Sequence, residues 1–99
     1  MNEIQHPAQA GTIESSDIMI QLSPAEKGSG ITITLESPVK KQFGTRISSL
    51  ISEALSSAGI LDAKVHALDR GALDYTIQAR MEAVIIRAMQ SADKENPYE

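Results

Sequence analysis

Between Ile31 and Ala58 the apolar residues change period once, and that change restricts the fold more than any other feature of the chain. Ile31-Thr32-Ile33-Thr34-Leu35 alternates strictly, with the isoleucines and the leucine on one side and the threonines on the other. That is the period of a strand with one buried face. After Ser37-Pro38, the residues Val39, Phe43, Ile47, Leu50, Ile51, Ala54, Leu55 and Ala58 recur at steps of three and four, with two adjacent pairs. That is the stripe of an amphipathic helix. Ser is a favoured N-cap and Pro is favoured at the first helical position, so the helix is expected over about 38–58. Gly59 should close it as the C′ residue, and Phe43 belongs to its core stripe. Gly44 inside the helix costs about 1 kcal/mol relative to Ala, which implies a kink or a close neighbour.

The remaining elements follow from the same two periods. Asp17 to Leu22 and Ala63 to Leu68 alternate and read as strands. A short extended piece is expected at about 11–14. Ser23 to Gly30 is a loop by composition, so the strands at 17–22 and 31–36 are expected to pair as a hairpin across it. Leu73, Ile77, Met81, Val84, Ile85 and Ala88 trace a second helix over about 72–90. Residues 72–77 can be read either way, because Leu73, Tyr75 and Ile77 also alternate; the continuing helical period favours helix. The expected fold class is α+β: a two-layer sandwich with a small, mainly antiparallel sheet (strands about 11–14, 17–22, 31–36 and 63–68) and both helices on one face.

A chain of 99 residues with three aromatics, Phe43, Tyr75 and Tyr98, must build its core from aliphatic side chains. It can bury one modest core. Residues 1–9 lack periodicity and contain Pro7, and residues 91–99 are charged and contain Pro97; both ends are expected to be flexible, leaving one domain over 10–90. The formal net charge of -4 argues against nucleic acid and against an anionic membrane surface. No apolar run approaches the roughly 20 residues of a membrane helix, and the first ten residues have no signal-peptide character. The expected location is therefore cytoplasmic. There is no cysteine, so any thiol chemistry would have to be supplied on an attached group.

Gly11-Thr12-Ile13-Glu14-Ser15-Ser16-Asp17 concentrates hydroxyls and carboxylates ahead of a strand. It reads as a turn that presents a serine to solvent. A serine that acts as a nucleophile needs a base and an oxyanion site. The two histidines, His6 in a loose terminus and His66 on a strand, lack the setting of a triad member. A serine that is a substrate for another enzyme needs only exposure and a mobile backbone. Glu14 and Asp17 read as solvated turn residues or as features recognised by a modifying enzyme. Lys40, Lys41 and Arg46 read as a solvated helix face or as a docking patch. Asp62, His66 and Asp69 match no metal-site spacing, and Gly28-Ser29-Gly30 lacks the Lys and the following helix of a phosphate loop.

The segment Pro7-Ala8-Gln9-Ala10-Gly11-Thr12-Ile13-Glu14-Ser15, followed by Lys41-Gln42-Phe43-Gly44 and Gly71-Ala72-Leu73-Asp74, resembles the citrate lyase acyl carrier proteins, the gamma subunits of that complex. The resemblance spans about residues 3–90, with the blocks in the family's order and spacing. It implies a non-catalytic acyl-carrier domain over 10–90. It implies covalent attachment of 2'-(5''-phosphoribosyl)-3'-dephospho-CoA through a phosphodiester to Ser15, the serine after the Gly-Thr-aliphatic-Glu stretch. Ser16 is the second choice, since chemistry alone does not separate neighbouring hydroxyls. The thiol of that group would hold acetyl and citryl thioesters while citrate is cleaved to acetate and oxaloacetate. The implied partners are the alpha (acetyl/citrate transferase) and beta (citryl lyase) subunits and a prosthetic-group transferase. The helical acyl carriers differ, since they set their serine in an Asp-Ser-Leu motif at a helix start. The alternative from another class is a small structural or adaptor domain with unmodified serines.

Overall fold

The computed structural model describes residues 3–90. The element order is β1 (Ala8–Ala10), β2 (Ile18–Ser23), β3 (Ile31–Glu36), α1 (Lys40–Ser57), β4 (Ala63–Asp69) and α2 (Asp74–Met89). The strands form one sheet in the order β1-β2-β4-β3. β1 and β2 pair antiparallel, as do β2 and β4, whereas β3 and β4 are parallel. Both helices cover the same face, α2 against β1 and β2 and α1 against β3, and they pack on each other. The two-layer α+β sandwich read from the sequence is the observed architecture.

The pairing departs from expectation at one point. β2 and β3 do not form a hairpin, because β4 lies between them. Alternation specifies which face of a strand is buried but not which strand lies beside it. The 18-residue helix α1 gives β3 a crossover long enough to bring β4 alongside it in parallel. On β4, Ala63, Val65, Ala67 and Asp69 are all buried beneath the helices. Small side chains suit this central position, where the layers meet most closely. Around them pack Ile18, Ile20 and Leu22 of β2, Ile51 and Leu55 of α1, and Ile77, Met81 and Val84 of α2, each at most 1% exposed.

The first strand lies at Ala8–Ala10 and not at about 11–14. Gly11 ends it: φ is +90°, and a Cβ there would sit 1.8 Å from the Ile18 carbonyl oxygen. Only glycine allows the backbone to pass so close. The described part of the segment expected to be flexible is fastened to the end of α2. Ile4 is buried, Gln5 N–H donates to the Ala88 carbonyl at 2.8 Å, and a His6 ring nitrogen lies 3.0 Å from the Gln90 carbonyl. The tail expected at 91–99 lies outside the described residues.

Helix α1 starts at Lys40, two residues later than expected. Ser37 Oγ does not cap the helix; it accepts from Val39 N–H at 3.1 Å and donates to Asp69 at 2.7 Å. Its far end closes as expected. Gly59 has φ +75°, its N–H donates to Ser56, and Ile60 N–H donates to Leu55, both at 3.0 Å. This is the double bond of a Schellman cap, with buried Ile60 beside buried Leu55. Phe43 is not core but 46% exposed. The buried stripe of α1 begins only at Ile47. Before it Gly44 is the residue facing Leu35, where an added Cβ would lie 3.9 Å from Cδ2 of that leucine. α2 begins at Asp74, and of the ambiguous trio only Ile77 is buried while Leu73 and Tyr75 face solvent.

Candidate functional site

One end of the sheet brings together the serine stretch and the starts of both helices. β3 and β4 are parallel and each runs into a helix, so the starts of α1 and α2 lie at the same end. β2 is antiparallel to β4, so its start lies there too. The residues leading into β2 are the Ser-Ser stretch.

Glu14-Ser15-Ser16-Asp17 is a four-residue turn closed by Asp17 N–H donating to the Glu14 carbonyl at 3.1 Å. Ser16 has φ +64°, the only positive φ at a non-glycine among the described residues. A type II turn requires such a φ at its third residue, where Gly or Asn is usual. Ser16 N–H then donates to the Arg70 carbonyl at 2.8 Å, and Arg70 N–H donates to the Asp17 carbonyl at 2.9 Å. Two residues of one strand thus oppose one of the other. This is a β-bulge of the kind whose first residue is left-handed and normally glycine. Ser15 occupies the apex, is exposed, and neither serine hydroxyl has a hydrogen-bond partner among the described residues.

Asp17 is the base of the turn. Its carboxylate receives Arg80 Nε at 3.0 Å and Nη2 at 2.9 Å, Thr12 Oγ1 at 2.7 Å and Ile18 N–H at 2.7 Å. The Arg80 hydrogen bonds hold its pKa far below the usual carboxylate range, with Thr12 and Ile18 adding to them against the opposing effect of burial. The reading of Asp17 as a solvated turn residue, or one recognised by an enzyme, is therefore corrected: it is 9% exposed and saturated with donors. Glu14 is exposed. A second buried carboxylate, Asp69, accepts from Ser37 Oγ at 2.7 Å and from Ala72 N–H at 2.9 Å, tying together the segments that lead into both helices. Arg46 bonds Asp74 across the two helix starts, while Lys40 and Lys41 are exposed on the first turn of α1.

The other residues singled out in the sequence lie apart. His66 pairs with Glu36 at 2.6 Å on the open face of the sheet, and Asp62 accepts from Gly30 N–H at 2.8 Å at the opposite end from Asp69. That bond, with a lesser one from Gly28, lowers the Asp62 pKa. Among the described residues no three His, Asp or Glu side chains are placed to hold a metal, and no helix is long and apolar enough to cross a membrane. A groove of about 930 Å³ between α1 and α2 is bordered by Leu50, Ala54, Tyr75, Ala79 and Ile86 and does not include the serines. Sequence reading missed Arg80 and the bulge and weighed Asp69 only as a metal-ligand candidate, because an Asp–Arg pair 63 positions apart has no local signature and Ser16 stands where glycine would have announced the turn.

What the arrangement offers chemically is a free hydroxyl on a braced turn. Both Ser15 and Ser16 are exposed, with hydroxyls that have no partner among the described residues. The family model described as malonate decarboxylase delta subunit (MdcD) matches residues 5–88. The chain is 56% identical over 86 residues to the citrate lyase acyl carrier protein of Lacticaseibacillus casei (strain BL23), covering 87% of this chain and 83% of that one. It is 53% identical over 93 residues to the namesake from Lactobacillus helveticus (strain DPC 4571), covering 93% of each. A chain in the crystal structure of a Pseudomonas malonate decarboxylase hetero-tetramer in complex with malonate superposes with a TM-score of 0.72 at 18% identity, over 88% of both chains. That last likeness is one of fold.

Proposed function

The chain belongs to the citrate lyase acyl carrier protein family, and from that premise we propose that it is the acyl carrier subunit of a citrate lyase, modified on Ser15. Its own part is non-catalytic. It serves the transferase and lyase subunits that together cleave citrate to acetate and oxaloacetate, after a separate transferase has attached 2'-(5''-phosphoribosyl)-3'-dephospho-CoA. When attached, that group supplies the thiol that this cysteine-free chain lacks and on which an acyl group is held as a thioester.

The observation that carries the assignment to Ser15 is the difference between the two serines. The backbone of Ser16 is held in the bulge by its bond to Arg70, in a conformation that restricts its side chain. Ser15, at the apex, has no hydrogen bond to any described residue. The bracing by Asp17, Arg80 and Arg70 keeps the turn projecting, so a transferase meets the same hydroxyl in the same place. Tethering then makes each encounter with a partner site effectively intramolecular, at effective concentrations of order millimolar for a short flexible link.

Intact mass tests this reading. Chain co-expressed with its modifying enzymes should gain the mass of the group, and peptide mapping should find it on Ser15. The Ser15→Ala variant should gain nothing. A bare Ser15 in active, assembled complex would end the proposal.

A further inference from the structure

We propose that the guanidinium of Arg70 is the counter-ion of the phosphate that joins the group to its serine; this rests on the carrier reading above. The chain has four arginines. Three are committed: Arg80 to Asp17, Arg46 to Asp74, and Arg87 to the Gln9 carbonyl at 2.8 Å. Arg70 is exposed, and its side chain has no hydrogen bond or ion pair among the described residues. Yet its backbone is the most firmly placed of the four relative to the serines, bonded through its carbonyl to Ser16 and through its N–H to Asp17. Ser15 immediately precedes Ser16, one Cα step of about 3.8 Å back along the chain.

Charge supplies the reason for a cation there. The turn already carries exposed Glu14, and the one acid beside it that is neutralised, Asp17, engages Arg80 through two of its nitrogens. A phosphodiester on Ser15 adds a negative charge next to Glu14. Arg70 is the one arginine beside the turn with its donors uncommitted among the described residues. A guanidinium also suits this ligand better than an ammonium, because its planar fork can give two parallel N–H bonds to two phosphate oxygens. Arg70 directly follows Asp69, the last residue of β4, and is exposed. The ligand class is thus the phosphodiester of a nucleotide-type group. The role is positioning: Arg70 restrains the root of the arm and shields it from Glu14.

The test uses full-length chain co-expressed with its modifying enzymes, with mass confirming the loaded state. In 15N-labelled protein the Arg70 Nε–H resonance should shift and gain protection from exchange on loading, while that of Arg87 stays in place. The 31P resonance of the phosphodiester should move in Arg70→Gln and return towards the wild-type position in Arg70→Lys. Loading of Arg70→Gln should slow by about two- to fivefold, the range expected for one exposed charge pair. Lys27→Gln, which removes the same charge from the loop at the far end, should leave both unchanged. A mass-verified loaded chain with an unmoved Arg70 Nε–H overturns the Arg70 inference alone. Wild-type chain that gains no mass overturns the carrier reading and this inference with it.

Discussion

Arg80 of α2 grips Asp17 through both carboxylate oxygens, Nε at 3.0 Å from Oδ1 and Nη2 at 2.9 Å from Oδ2. The pair joins positions 63 residues apart and lies directly under the serine turn. Removing one partner leaves a charge in a site that is largely dry on the Asp17 side. Arg80→Met, which keeps the apolar stem, should destabilise the chain, because it strips the Asp17 carboxylate of two of its hydrogen bonds. Urea denaturation midpoints measure the loss, and an unchanged midpoint would show the clasp to be ornamental.

The same carboxylate sets a pH dependence. Asp17 has its pKa depressed in the folded state, so the unfolded chain binds a proton first, near the ordinary value of about 3.9. Its stabilising contribution is fully present above that value and declines as pH falls from there towards the folded pKa. Asp62 shifts in the same direction, because its charged form accepts the Gly30 and Gly28 N–H groups. Thermal melts should show wild-type stability beginning to fall as pH drops through about 4 and continuing to fall below it. The Asp17→Asn variant should start lower and fall less steeply.

Ser16 lies at φ +64° in a position made for glycine. A non-glycine residue in the left-handed region is disfavoured by roughly 1 kcal/mol, partly offset by the chain entropy glycine gives up. Ser16→Gly should therefore be as stable as wild type or up to about 1 kcal/mol more so, and should still accept the group. If the added mass disappears with Ser16→Gly and survives Ser15→Ala, the two serines have been assigned the wrong way round.

Two glycines should respond to alanine with opposite sign. At Gly11 a Cβ would meet the Ile18 carbonyl oxygen at 1.8 Å with φ at +90°, so Gly11→Ala must displace backbone. It should cost several kcal/mol, of the order seen for strain at a special backbone position. At Gly44 the nearest atom is Cγ of exposed Lys40 at 3.1 Å, which can move aside. Gly44→Ala should gain up to about 1 kcal/mol from helix propensity. Denaturant titrations of the two variants decide both.

How much of this was legible in the sequence depended on the range of the interaction. Period identified β2, β3, β4 and both helices, and Gly59 marked the end of α1, because each is a local pattern. It did not reveal that β4 separates β2 from β3, since an alternating strand looks the same beside either neighbour. Phe43 fits the helical stripe by spacing, but the stripe meets the sheet only from Ile47 onward. Gly44, which the sequence tied to a kink or a close neighbour, is where the helix passes over Leu35. The serine turn was visible as a polar stretch, and the family resemblance singled out Ser15 as the proposed attachment site. The brace beneath them was not visible, because Asp17, Arg70 and Arg80 come together only when β4 and α2 are in place.

The bulge and the clasp have a consequence for the order of biosynthesis. The proposed acceptor stretch is translated well before the partners that give it shape, Arg70 and Arg80. A nascent chain stalled before α2 would carry the whole acceptor motif as an unshaped peptide. Attachment of the group should then wait for the last helix and act as a check on completed folding. Ribosome-bound chains released by puromycin before residue 74 should carry no group, whereas those released after α2 has emerged should be competent.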